Sequence, residues 1–370
     1  MEISEELKIK IRTKEDIFAF DSIVLWGAGF AFEDCIESIG REKIKAVFDN
    51  DRSKWGTIIC GFEITSPESD IDKYIHDNTA VIIATNGYQY EIAKDLLENK
   101  GIKERQLFSN SNSVVETYRY KPETIEKHWE QILKVKELFS DDESKKYYIN
   151  FIKACLTREP LYFQDNPHCI AEYEYDTKLA KIGLYGGEVI LDCGAYNGDT
   201  ARIFMNKTNN DCEVYCFEPV VENYRELQDW VSKGNLTNVH PIHSGVGNAQ
   251  YTDKVYSTES KTTKAAVGFN RFESKLPIVS EIQVDTLDNM AEGIKVDYIK
   301  MDIEGAEMAA LKGAKKTIEK NAPQMLISAY HKIEDMWEVP EFVLAINSDY
   351  KLFLGHQPHA PYEPEFIFVL

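Results

Sequence analysis

Two stretches of the chain follow one grammar: an apolar run, a glycine turn, a helical segment and a second apolar run that ends in an acid. The first begins at Ser22-Ile23-Val24-Leu25-Trp26, turns at Gly27-Ala28-Gly29 and reaches Ala46-Val47-Phe48-Asp49. The second begins at Glu188-Val189-Ile190-Leu191-Asp192, turns from Gly194 to Gly198 and reaches Val214-Tyr215-Cys216-Phe217-Glu218. Each is the opening of a doubly wound α/β domain, in which ligands sit beyond the carboxyl ends of the strands. Two such openings in 370 residues predict two Rossmann-like domains.

The first domain is expected over 1–118, closing at the run Ser109-Asn110-Ser111-Asn112-Ser113. Residues 119–185 read as a helical connector. Pro122 suits a first helical turn, and Ile125, Trp129, Ile132 and Phe139 recur at helical spacing. Ser140-Asp141-Asp142-Glu143 fits a capping box ahead of Tyr148, Phe151, Ile152 and Cys155. Stripes of that width need a partner surface, so these helices are expected to cover an edge of the second domain. The second domain, 186–370, reads as seven strands. The last two, Tyr350–Gly355 and Glu365–Val369, are joined by too few residues for a crossover helix and predict an antiparallel edge hairpin. A mostly parallel sheet ending in such a hairpin is the architecture of class I methyltransferases.

Composition removes several alternatives. A net charge of -20 argues against a nucleic-acid backbone or an anionic membrane as the main partner, although it leaves room for a local basic patch. The opening residues are charged throughout, unlike a signal peptide, and no run approaches the roughly 18 apolar residues of a membrane span. Seven cysteines, an odd number without a C-x-x-C pair, point to reduced thiols and a cytoplasmic location.

The second glycine turn is the most informative stretch. A dinucleotide turn offers backbone N–H groups to a pyrophosphate and spaces its glycines G-x-G-x-x-G. Here Asp192 opens the turn, Gly194 and Gly198 stand four apart, and Asp199 follows. Two carboxylates at that mouth repel a pyrophosphate but suit a phosphate-free ligand carrying an ammonium and a sulfonium, as S-adenosylmethionine does. Tyr196 and Asn197 belong to the same turn. Glu218, followed by Pro219, can accept both ribose hydroxyls, and Ser244-Gly245 lie where an adenine is expected. Asp199 and Thr200 also suit a plain helix cap.

Five ordered stretches carry a closer resemblance: VILDCGAYNGDT (189–200), VYCFEPVVENYREL (214–227), VDTLD (284–288), VDYIKMDIEGAEMAALKGA (296–314) and the aromatic C-terminal hairpin. Together they resemble the FkbM family of methyltransferases over roughly 186–370. The resemblance implies methyl transfer from S-adenosylmethionine, usually to a hydroxyl oxygen of a sugar or natural product.

The chemistry is expected at the end of the fourth strand. Period-two alternation puts Lys300, Asp302 and Glu304 on one side up to the break at Gly305. A hydroxyl is a poor nucleophile until it loses its proton, so a base helps. Asp302 is the first candidate, equally open to a structural or cofactor contact, and His331 is the second. Lys300 can orient substrate or hold a carboxylate ionised. Glu304 and Glu307 also suit the first turn of a helix, where acids complement the dipole. Asp302 and Glu304 suit a divalent cation, yet no third ligand stands nearby in sequence and no required metal is expected. Phe269, Asn270, Arg271 and Phe272, in a polar insertion, are candidates for substrate contact.

The first domain has no firm job. Phe32 stands where a dinucleotide turn has its third glycine, while Asp49 can still accept a ribose. It reads as a docking or dimerisation module, with a homodimer as the expected assembly. Two other readings remain: an NAD-dependent or nucleotide-sugar-binding oxidoreductase using Gly27, Gly29 and Asp49, and a binding protein on an inactive methyltransferase fold.

Overall fold

The computed structural model describes residues 7–29, 31–85, 87–110, 121–163, 168–177, 179–257, 265–267, 278–358 and 360–370. Its contacts divide the chain into two units. One comprises Met1–Lys136, Asp142–Asn166 and Pro358–Tyr362; the other comprises Glu137–Asp141, Pro167–Gln357 and Glu363–Leu370.

The first unit is built on a six-stranded sheet in the order Ile58–Ile59, Phe62–Thr65, Ile44–Phe48, Ser22–Trp26, Thr79–Ile83, Leu107–Ser109. All neighbours pair parallel except the first two. Thr79–Ile83 is buried at every position, as a central parallel strand covered on both faces must be. Helix Phe32–Ile39 turns Phe32, Cys35, Ile36 and Ile39 into the core. The helices Pro122–Lys127 and Asp142–Thr157, expected to cover an edge of the second domain, group with this unit. Backbone bonds show why. Arg12 N donates to Leu156 O at 3.0 Å, and Ser109 N donates to Arg158 O at 2.9 Å. Residues 137–141, at the junction, group instead with the second unit, where Ser140 N donates to Leu352 O at 2.8 Å.

The second unit centres on a seven-stranded sheet: β1 (Glu188–Cys193), β2 (Cys212–Phe217), β3 (Val239–Ile242), β4 (Tyr298–Met301), β5 (Gln324–Ser328), β6 (Lys351–His356) and β7 (Pro364–Val369). The order is β3-β2-β1-β4-β5-β7-β6. Pairing is parallel up to β5, and β7 runs antiparallel to both β5 and β6. The edge hairpin expected from the short connection is therefore present. In the resulting register Asp192 stands opposite Lys300 and Cys193 opposite both Phe217 and Met301. The carboxyl ends of β2, β1, β4 and β5 thus stand in a row, which sets Glu218, Asp302 and His331 beyond the ends of β2, β4 and β5, with Asp192 inside the last pleat of β1.

Sequence periodicity misses two smaller sheets. The stretch expected to be helical as far as residue 185 is α-helical only to Thr157, with one tighter helical turn at Pro160–Tyr162. Cys169–Ala171, Glu174–Asp176 and Lys181–Ile182 form a three-stranded antiparallel sheet that packs Tyr175 and Ile182 into the second unit's core. The polar insertion contributes Tyr251–Ser257 and Ala265–Val267 to a four-stranded sheet with Gly245–Val246 and Ile278–Asp285. Phe269, Asn270, Arg271 and Phe272 lie outside the described residues. All seven cysteines are free, and no described helix is long and apolar enough to cross a membrane.

β7 carries a carboxylate into this core. Glu365 is 7% exposed and accepts from Tyr175 Oη at 2.7 Å and Gln357 Nε2 at 2.6 Å. Burial pushes its carboxyl up to about 7, against the pull of those two donors. Tyr175→Phe removes one donor while leaving the acid buried. We expect it to lower stability by about 1–3 kcal/mol, read as a drop in the thermal unfolding midpoint.

Candidate active site

The glycine turn runs from β1 into helix α1 (Asp199–Lys207). Gly194 has φ +82°, and a Cβ there would lie 1.9 Å from the Asp302 carbonyl oxygen. The turn and the end of β4 therefore touch backbone to backbone, which only glycine permits. Gly198, at φ +86°, packs similarly against Leu227 and Trp230.

Asp192 is fully buried beneath the turn. Its Oδ1 lies 3.2 Å from Lys300 Nζ, which also donates to Gly194 O at 2.9 Å. Neither Asp192 oxygen receives a well-formed hydrogen bond among the described residues. Burial pushes its carboxyl up to about 6, with Lys300 limiting the rise. For Lys300 burial acts to lower the pKa, but Asp192 and neighbouring acids outweigh it and keep the amine charged.

Glu218 ties the turn to the end of β2. Oε2 accepts from Tyr196 N at 2.9 Å, while Oε1 accepts from Val220 N at 2.9 Å and Asn223 Nδ2 at 3.2 Å. It is 4% exposed, and burial pushes it up to about 7. Three of roughly four acceptor positions on the carboxylate are thus taken by the protein itself. Asp199 is exposed at the first turn of α1 and accepts from Thr200 N at 2.8 Å. Asn197 donates to Glu226 at 3.2 Å, and Pro219 O accepts from His243 at 3.2 Å. Ser244 Oγ donates to the carbonyls of Gly245 and Gln283, so its hydroxyl faces backbone.

The second cluster gathers at the ends of β4 and β5. Tyr330 Oη donates to Asp302 Oδ1 at 3.0 Å. His331, 2% exposed, has Nδ1 at 2.8 Å from Glu307 Oε1. Burial acts to raise the Glu307 carboxyl, but His331 outweighs it and holds the group below its ordinary value, so Glu307 is an ionised acceptor and Nδ1 carries the proton. The same Glu307 oxygen accepts from Ile303 N and Gly305 N, each at 3.1 Å. That pins the loop where Glu304 adopts φ +57°. His331 Nε2 then points to Asp302 Oδ1 at 3.5 Å and Glu304 Oε2 at 3.6 Å.

In the first unit Asp49 accepts three hydrogen bonds. Its Oδ2 accepts from Ala28 N at 2.8 Å and Lys54 Nζ at 2.9 Å, and its Oδ1 from Asp51 N at 2.8 Å. It braces the Gly27–Gly29 turn through Ala28 N.

A model of the FkbM methyltransferase domain matches residues 192–352. The chain contains an FkbM methyltransferase domain. A second model, of the C2185-like N-terminal domain, matches residues 20–108. The crystal structure of Methyltransferase FkbM from Methylobacillus flagellatus KT shares the fold, with a TM-score of 0.71 at 20% identity, covering 99% of this chain and 97% of that one. Aeropyrum pernix fibrillarin, in complex with natively bound S-adenosyl-L-methionine, aligns over 54% of this chain and 83% of its own at 12% identity, with a TM-score of 0.33. No curated protein matches the chain in sequence.

Within the FkbM domain, the sequence-derived residues separate into two groups joined by Lys300. Asp192, Gly194, Tyr196, Gly198 and Glu218 meet around the turn; Asp302, Glu304 and His331 meet at the strand ends. Ser244 and Gly245 belong instead to the start of the four-stranded sheet. Two partners escaped sequence reading. Tyr330 gave no signal beyond preceding His331. Glu307 was legible only as a first-turn acid, a place it does hold at the start of Glu307–Lys312. Gly194→Ala forces its Cβ into the Asp302 carbonyl and strains a left-handed backbone. We expect a loss of about 2–4 kcal/mol, measurable by denaturant unfolding, whereas Gly187→Ala, which meets no neighbour within 4 Å, bears only the backbone strain.

Proposed function

We propose that the FkbM domain transfers a methyl group from S-adenosylmethionine to a hydroxyl of a saccharide or related polar metabolite. One observation carries this reading: acids stand at or beyond the carboxyl ends of neighbouring strands, while the buried cation among them, Lys300, already contacts Asp192 and the Gly194 carbonyl. Such a mouth disfavours a pyrophosphate and favours a ligand with an ammonium and a sulfonium. Asp192 Oδ2, without a hydrogen-bond partner among the described residues, offers the negative charge that suits a cationic cofactor. The Glu218 position left open suits a ribose hydroxyl.

In the transfer, the hydroxyl oxygen forms a bond to the methyl carbon as the carbon–sulfur bond breaks, its electron pair staying on sulfur to leave S-adenosylhomocysteine. The hydroxyl proton passes to Asp302, whose side chain is 36% exposed and oriented by Tyr330. Alignment of donor and acceptor is the main catalytic demand. The rigid contact between the Gly194 turn and β4 supplies it.

Calorimetric titration with S-adenosylhomocysteine tests the reading, with NAD as the control ligand. Saturable binding of the first and none of the second is expected; absence of heat up to about millimolar ligand, on the order of the weakest useful affinity, would sink it. Asp302→Asn should bind normally and lose roughly 10²–10⁴-fold in turnover. A pH series adds a sign. Glu218 is ionised above about 7, so affinity for a ribose-bearing ligand falls as pH drops through that value. The group's contribution to stability runs the other way. Its folded pKa lies above the ordinary 4.5, so folding stability declines as pH rises between the two. In Glu218→Gln the pH dependence of binding should flatten.

A further inference from the structure

We infer that the first unit carries a small-molecule site of its own, for an uncharged ring bearing vicinal hydroxyl groups. It lies beyond the carboxyl end of Ser22–Trp26, where the sheet order turns back: Ile44–Phe48 lies on one side and Thr79–Ile83 on the other. The cavity there is about 400 Å³, towards the small end of ligand pockets, which span roughly 300–1,000 Å³. The inference stands apart from the proposed methyl transfer.

The lining disfavours a phosphate. A phosphate-binding turn keeps its N–H groups free for the anion. Here Gly27 N donates to Phe48 O at 2.7 Å and Ala28 N to Asp49 Oδ2 at 2.8 Å. The charged side chains around the cavity are the carboxylates of Asp49 and Glu91 and the ammonium of Lys54, which already bonds Asp49 at 2.9 Å. The acid left in surplus repels an anion. What remains open suits hydroxyls. Asp49 Oδ1 accepts from Asp51 N at 2.8 Å, which, with two bonds at Oδ2, leaves one of roughly four acceptor positions. Asn50 is exposed and held by its oxygen, which accepts from Trp26 Nε1 at 3.2 Å, so it presents its NH₂ group. Lys54 donates to Asp49 and, at 3.4 Å, to Ala28 O, and an ammonium has a third proton to give. An acceptor beside two donors matches adjacent hydroxyls, each of which gives one hydrogen bond and takes another.

The opposite wall supplies an apolar face. Tyr88 lines the cavity while 52% exposed, and it takes a left-handed backbone, φ +58°, that a tyrosine adopts only at a cost. Ile92 stands one turn along the helix Gln89–Asn99 that follows. A flat aromatic ring beside an aliphatic side chain packs on the apolar face of a sugar or a base. The floor is open between the walls. A Cβ on Gly29 would meet no atom within 4 Å, so a side chain placed there enters the cavity without a clash.

The test is a ligand-observed NMR titration of the full chain with uridine and, separately, with methyl α-glucopyranoside. Saturable binding of at least one, with an affinity of about millimolar, is expected, and the one that binds names the source of the hydroxyls. Its analogue lacking the 2-hydroxyl or 2′-hydroxyl should bind about tenfold more weakly, and uridine 5′-monophosphate no more tightly than uridine. Gly29→Leu fills the cavity and should abolish binding with the thermal unfolding midpoint unchanged. Asn50→Ala, at an exposed position, decides the matter if Gly29→Leu does not fold, with about three- to tenfold weaker binding expected. Four results overturn the site: no binding of either probe up to about 10 mM, a deoxy analogue that binds equally, a monophosphate that binds more than about tenfold tighter, or a folded Gly29→Leu that binds like wild type. Because uridine carries no adenine and Gly29 lies outside the FkbM domain, none of these results bears on S-adenosylhomocysteine binding.

Discussion

Lys300 is the interaction around which the second unit is organised. Its amine sits among β1, β4 and the glycine turn, touching Asp192 and the Gly194 carbonyl at once. Water reaches neither charge, so neither can be removed alone without leaving the other uncompensated, a cost of about 3–5 kcal/mol. The pair therefore does more than stabilise. It fixes the height of the turn relative to β4, and with it the distance between the place where a cofactor would rest and the carboxylates that would meet an acceptor.

From that anchor the two halves of the site follow different physical rules. Around the turn, backbone N–H groups are satisfied by side chains: Tyr196 and Val220 both donate to Glu218. Around His331 the logic is reversed, because one carboxylate oxygen of Glu307 collects three donors while the opposite face of the imidazole meets two acids. In the first half a buried carboxylate is matched by backbone donors. The second carries surplus negative charge at a buried ring, which is the kind of imbalance proteins reserve for chemistry.

Much of this was legible in the sequence because it depends on local pattern. Apolar runs ending in acids located β1, β2 and β4, and the short final connection gave the antiparallel pairing of β6 and β7. Alternation along β4 singled out Lys300, Asp302 and Glu304. What stayed hidden depends on approach across strands. Nothing near Glu307 says that its oxygen will reach a histidine 24 residues later. Nothing near Asp49 says that Ala28, Asp51 and Lys54 will all donate to its carboxylate. The strands between Cys169 and Ile182 were hidden for another reason: they are two or three residues long, shorter than any period can register.

The close approach at Gly194 has a consequence for how this domain can diversify. The turn and the end of β4 are in contact through main-chain atoms, with no side chain between them to be enlarged, trimmed or re-aimed. Substitution therefore has no handle on the spacing between donor and acceptor. Variation in which molecule is modified must come from segments that overhang the strand ends, while the spacing itself passes unchanged from one variant to the next, as a machine's bed plate outlasts its tools.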